Sequence, residues 1–282
     1  MTTTGSDWGV RPWVLENLPQ FPWVLTRLIA LFAAPVEEVD LRVARELIRR
    51  DPALVSELLR RANAAAHAPI GRVQSVDHAL HVLGLHTVRR IVLTIRLRDY
   101  LGSALNHDVL KRCWQHCLAC AFSAEQIAQY ARLRPDQAYT AGLLHDLGRL
   151  ALLVNFPKSY ADLLGLAASS RQELIAAERA LFELDHCELG SCLAIEWQFP
   201  DELIRIIAQH HQPAQNGTFS LQHLITLTCR LADQMGFGVA PISLPDEVEE
   251  IRDQLPAPAC WLLEPGLESF RARVLEQVTE FV

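Results

Sequence analysis

The sequence has no excess of positive charge: Lys and Arg number 26 against 33 Asp and Glu, for a net charge of −7. Proteins that grip nucleic acid through its phosphates carry the opposite balance, so bulk nucleic-acid binding is not expected. A membrane span is also missing. The longest apolar stretch near the N-terminus, Leu28 to Val36, falls well short of the roughly 20 residues a bilayer requires. Met1 to Trp8 is rich in Thr, Gly and Ser and lacks the basic-then-apolar pattern of a secretory leader. Cysteine is sparse: seven residues, an odd number, scattered between positions 113 and 260. A disulfide framework does not follow, and a reduced, cytoplasmic compartment fits best. No alternating strand pattern, internal repeat or low-complexity tract stands out.

Apolar side chains are what the 282 residues do have. Half of them are hydrophobic and 21% are charged, which excludes a disordered chain and supplies a core for one large domain or two small ones.

Their spacing is helical almost throughout. Val43, Ala44, Leu47 and Ile48 share a face. Asp51-Pro52 restarts the chain, Asp as N-cap and Pro at the first helical position. Leu54, Val55, Leu58, Leu59 and Ala62 then form a buried stripe. Ser75 caps a short helix that Gly84 can end. Later helices are predicted at 109–130, 137–154 (stopped by Pro157), 171–184, 186–197, 201–211 and 220–236, with two more near 246–254 and 266–280. The expected fold is all-α: a tail over 1–13, an N-terminal helical bundle over 14–105, a second helical domain over 106–240 packed against it, and a helical extension over 241–282.

One helix, 87–99, carries the stripe Val88, Ile91, Val92 and Ile95 and sets Arg89, Arg90, Arg96 and Arg98 on its polar side. This is the most basic local surface. It reads either as a solvated face or as a docking surface for an acidic partner or nucleotide.

The histidines carry more chemistry. In Gly142-Leu143-Leu144-His145-Asp146-Leu147-Gly148, adjacent His and Asp can offer a nitrogen and an oxygen to one metal from a single turn. His116 lies on the preceding long helix. His186 opens Asp185-His186-Cys187-Glu188-Leu189-Gly190, with Gly190 one turn along the same face for close helix approach. His210-His211 ends a helix, and because neighbours differ by about 100° only one should point inward. Asp233 follows the stripe Leu224, Leu227, Leu231. Cys113, Cys117 and Cys120 share one helix face and read as small core residues, with a redox or metal trio as the alternative.

This ordered set resembles the HD phosphohydrolase superfamily, whose metal ligands run His, His-Asp, Asp. It is similar in more detail to the HDOD domain, the HD-related output domain of bacterial signalling. The shared motifs are Leu18-Pro19-Gln20-Phe21-Pro22, Asp51-Pro52-Ala53-Leu54, Val73-Gln74-Ser75, Trp114-Gln115-His116, the His145-Asp146 segment, Asp185-His186 and Trp197-Gln198-Phe199-Pro200. The resemblance implies an HD-like helical domain and a metal set of His116, His145, Asp146, His186, His210 and Asp233. One or two divalent ions, Fe, Mn, Mg or Zn, would be held there. It also implies a stand-alone bacterial signalling protein, with signalling-protein partners and a nucleotide second messenger as effector, without catalysis. In the alternative reading, a metal-dependent phosphohydrolase or phosphodiesterase, His145 and Asp146 would be catalytic and the metal would generate hydroxide. The related HD-GYP phosphodiesterases carry Glu and then Gly-Tyr-Pro after the paired histidines. Here Gln212 and Pro213 follow, and no Gly-Tyr-Pro occurs.

Overall fold

The computed structural model describes residues 13, 23–33, 39–65, 72–165, 171–212, 218–240, 247–264 and 266–282. The Leu18–Pro22 motif lies outside them. Among the described residues every regular element is helical.

The N-terminal half contains α1 (Trp23–Ala33), α2 (Leu41–Arg49), α3 (Pro52–Ala65) and α4 (Val76–Leu101). Asp40 caps α2 and Ser75 caps α4, each accepting from a first-turn amide. Gly84, at φ 75°, interrupts α4, so the expected stop is a break in the helix axis. A 3-10 turn, Gly102–Asn106, leads into α5 (Asp108–Ala128).

The second half continues with α6 (Pro135–Leu144), α7 (Leu147–Asn155), α8 (Pro157–Gly165), α9 (Arg171–Phe182), α10 (His186–Glu196), α11 (Asp201–Gln209) and α12 (Leu221–Ala232). A π-helical turn, Asp233–Phe237, closes α12. The C-terminal segment adds α13 (Val248–Gln254), α14 (Ala257–Cys260) and α15 (Leu267–Thr279).

Helix α5 is the axis of the molecule. Residues such as Trp114, Cys117, Leu118, Ala119 and Cys120 are fully buried, because α6, α12 and α15 all pack on it. One continuous apolar cluster runs from Leu28 through α4 and α5 to Phe281. The N-terminal helices therefore share a core with the rest.

Two expectations are corrected here. The helical run predicted for 137–154 is broken between Leu144 and Leu147, where Asp146 adopts φ −98°, ψ 25°. The arginine face of α4 is not a free surface. Arg89 is 2% exposed and pairs with buried Asp136 on α6. Arg90 reaches buried Glu125 on α5 at 3.0 Å, and Arg96, with only 14% of its side chain exposed, pairs with Asp51 and Asp99. Helix α4 packs against α1, α2, α3 and α6, so its polar side is not turned wholly to water and these guanidinium groups are used to join helices.

Candidate metal centre

The break between α6 and α7 places both His145 and Asp146 in one turn, from which both side chains enter the same buried pocket. Glycine makes this possible. A Cβ on Gly142 would lie 2.7 Å from the Ala121 backbone of α5. One on Gly148 would lie 2.0 Å from the His186 carbonyl and 2.6 Å from the Gly190 amide. Helices α7 and α10 therefore cross backbone to backbone at Gly148 and Gly190, and that contact carries His186 to Asp146. A capping box between Asp185 and Glu188 fixes the start of α10.

The histidines are oriented alike. A nitrogen that faces a carbonyl must carry the proton, so each Nδ1 below is a donor. His116 donates from Nδ1 to the Phe237 carbonyl at 3.0 Å, His145 to Gly142 at 2.7 Å and His210 to Ile207 at 2.9 Å. The Nδ1 of His186 lies 2.6 Å from Glu178 Oε2. Each Nε2 faces inward, the arrangement by which proteins present a neutral imidazole to metals. Against burial, Cys229 and Asp233 raise His116 to about 9, and against burial and Arg149, Cys187 and Glu178 raise His186 to about 10, so metal binding there releases protons. The Nε2 of His145 and Oδ1 of Asp146 are buried without a hydrogen-bond partner. Around that oxygen, His210 Nε2 stands at 3.4 Å and His186 Nε2 at 3.5 Å. Ligands about 2.1 Å from a tetrahedral ion would lie about 3.4 Å from one another. His145, Asp146 and His210 thus fit a divalent ion, as do His116, Cys120 and His145.

Asp233 Oδ1 lies 3.6 Å from His116 Nδ1, the anchored nitrogen. The nitrogen left free, His116 Nε2, faces Cys120 Sγ and Cys229 Sγ, both at 3.5 Å. Both members of the histidine pair reach the pocket: His211 Nε2 is 3.1 Å from His186 Nε2. The expectation that only one points inward fails because α11 ends at Gln209 and the pair lies in a turn, where helical spacing no longer applies.

Arg149, Glu178 and Tyr160 are the residues that sequence reasoning passes over. Arg149 is buried and donates from Nε to Asp146 Oδ2 at 3.0 Å and from Nη1 to Tyr160 at 3.1 Å. Tyr160 donates in turn to Glu178 Oε1 at 2.5 Å. Arg149 Nη2 is 3.0 Å from His186 Nε2 and 3.2 Å from its Nδ1. Near-equal distances to both ring nitrogens place the guanidinium over the ring face. The Leu147-Gly148-Arg149 sequence is the only local hint of this role. Cys117 and Cys120 also stand at Cys-x-x-Cys spacing, a signal hidden when they are read only as a packed face.

The electrostatics follow. Burial alone would raise Asp146, but Arg149, His145, His210 and His186 hold it well below the usual carboxylate range. Burial also opposes the ionisation of Glu178, yet His186, Arg149 and the Tyr160 hydroxyl bring it down to about 2. Burial and then His210 lower His211 to about 3. The thiol of Cys229 is lowered well below its ordinary value, first by the neighbouring Cys120 and, against burial, by His116 and His145. A cavity of about 280 Å³ opens beside these groups, lined by His116, Asp146, Arg149, His186, Cys229 and Asp233 among others.

The sequence profile of the HDOD domain matches residues 18–213. The chain belongs to the HDOD family. Solved structures share the fold of this HDOD chain at low identity. A phosphohydrolase-type protein from Shewanella amazonensis aligns with a TM-score of 0.71 and 21% identity, covering 96% of this chain and 99% of its own. An HDOD domain protein of unknown function from Geobacter sulfurreducens gives 0.69 and 20%, covering 92% and 93%. A proposed signal transduction protein from Marinobacter aquaeolei gives 0.71 and 23%, covering 94% of this chain and 60% of that one. An uncharacterised protein of Treponema pallidum is 26% identical over 202 residues, which is 70% of this chain and 38% of that protein. The HDOD chain thus spans well under half of the Treponema relative. Among the described residues no helix is long and apolar enough to cross a membrane.

Proposed function

We propose that this HDOD protein is a signalling module whose HD pocket holds one divalent ion as a structural and regulatory element, without turning over a phosphoester. The observation that supports this reading is the common orientation of the histidines. His116, His145 and His210 each anchor Nδ1 on a backbone carbonyl and turn Nε2 inward, beside an Asp146 oxygen that has no partner. Such preorganisation is costly to maintain in a core unless the buried atoms are coordinated or paired. When bound, the ion would supply positive charge and could act as a Lewis acid.

One ion is favoured over two by Arg149. Its guanidinium already holds Asp146 Oδ2 and lies against the His186 ring, so these two groups are already served by the protein's own cation. The missing Glu and Gly-Tyr-Pro after His211 also argue against cyclic-di-nucleotide hydrolysis. Output would then pass through contacts with other signalling proteins, set by whether the ion fastens α5 to the α6–α7 turn. The nucleotide second messenger and the cytoplasmic, bacterial setting stay within this proposal.

Elemental analysis of protein purified without chelator tests the reading, together with an assay for cyclic-di-GMP turnover. About one equivalent of metal and no turnover are expected. Steady hydrolysis abolished by His145→Ala would overturn it in favour of the phosphodiesterase.

A further inference from the structure

We infer that the ion sits on the sulfur side of the pocket, in a zinc-type site made by His116 Nε2, His145 Nε2 and the Sγ atoms of Cys120 and Cys229. This rests on the one-ion reading above and narrows it: His116 and His145 bind the ion together with the two sulfurs, Asp146 and His210 stand beside it without binding it, and the donor set decides which metals are selected.

The first reason is the direction of His116. Its Nδ1 is tied to the Phe237 carbonyl at 3.0 Å, and Asp233 lies on that same side. The nitrogen that can bind a metal therefore faces away from the carboxylate. It faces Cys229, one helical turn before Asp233 on α12 and so on the same face. The second reason is spacing. Cys120 Sγ and Cys229 Sγ both lie 3.5 Å from His116 Nε2. A tetrahedral zinc with nitrogen at about 2.0–2.1 Å and sulfur at about 2.3 Å sets nitrogen and sulfur about 3.5 Å apart. The third reason is convergence. Donor atoms of His116, Cys120 and His145 all lie within 4.8 Å of one another, and His145 Nε2 is buried with no partner. His116 and Cys120 are four residues apart on α5, so one helix face delivers both.

Thiolate with imidazole selects zinc, and cobalt as its spectroscopic stand-in, over magnesium and manganese, which prefer oxygen. Without the sulfurs the same pocket would offer imidazole and carboxylate, a set that suits a wider range of divalent ions.

Cobalt titration of the full chain, stripped of metal under reducing conditions, tests the assignment. One equivalent of Co²⁺ should bind with an intense near-ultraviolet thiolate-to-cobalt charge-transfer band. Cys229→Ser should lose most of that band and weaken zinc binding roughly tenfold or more, while His210→Gln keeps the band. If Cys229→Ser does not fold, X-ray absorption of the zinc-loaded wild type serves instead, with sulfur expected at about 2.3 Å. Cobalt bound without the band and lost in His210→Gln, or a zinc shell of nitrogen and oxygen only, would overturn the sulfur assignment and leave the one-ion reading standing. A folded wild type that takes up neither cobalt nor zinc would overturn both.

Discussion

Asp146 is asked to do two things at once: one oxygen holds Arg149 at 3.0 Å and the other faces the histidines without a hydrogen bond. Asp146→Ala should therefore destabilise the fold by about 3 kcal/mol, since it removes one of the two buried carboxylates paired with the Arg149 guanidinium. Chelation should lower the melting temperature of the wild type and leave that of His145→Ala, which lacks a donor, much less affected, which differential scanning calorimetry with and without chelator can read. Glu178 gives a pH test. Its carboxyl falls from an ordinary 4.5 to about 2 in the folded chain. A depressed acid adds stability that is complete above its unfolded value and is lost as pH falls through the folded one. Melting temperature should thus drop between about pH 4.5 and 2, by the equivalent of roughly 3 kcal/mol, and Glu178→Gln should flatten that part of the profile. His145, Asp146 and His116 were legible in the sequence because adjacency and order make a recognisable motif. Glu178, Tyr160 and Cys229 were not. Each comes from a helix distant in sequence, and none sits in a pattern that marks it until the chain is folded.

At the scale of elements, the informative feature is where helices stop. The apolar spacing of 137–154 continues unbroken, so periodicity alone predicts one helix. The chain breaks at His145-Asp146 because burying both side chains in one pocket requires a turn, and the glycines on either side let α5 and α10 approach. Elsewhere Ser75 caps α4 where the sequence predicts, and the structure adds Asp185 and Ser220 as caps of α10 and α12. Gly148→Ala provides the test. A methyl group 2.0 Å from the His186 carbonyl has to push α7 and α10 apart. A loss of about 1–3 kcal/mol or more is expected in chemical denaturation, together with loss of metal. Gly165→Ala, which meets nothing within 4 Å, is the control and should change neither.

Across the whole molecule, polar contacts join the N-terminal bundle to the second helical half. Arg89 pairs with Asp136, Thr94 and Tyr139 share a hydrogen bond of 2.6 Å, and His86 and Arg90 both reach Glu125. The all-α class and the packing of the N-terminal helices on the HD-like half could be read from apolar stripes. The burial of Arg89 could not, because a helix wheel shows which side is polar and not what covers it. Arg89→Met should cost about 3 kcal/mol in thermal unfolding, since Asp136 keeps only Arg134. Arg60→Ala, at an exposed pair with Glu57, should cost less than about 1 kcal/mol. The matched HDOD region ends at residue 213, yet the carbonyl that fixes the proton of His116 belongs to Phe237. Arg271 on α15 holds the same π-helical turn through the Met235 carbonyl at 2.7 Å, and Trp114 on α5 donates to the Phe281 carbonyl at 3.2 Å. The last stretch of chain therefore acts as a latch on a tautomer. Lifting it would free His116 to exchange which nitrogen is protonated, and the pocket would lose its directionality while every histidine remained in the sequence.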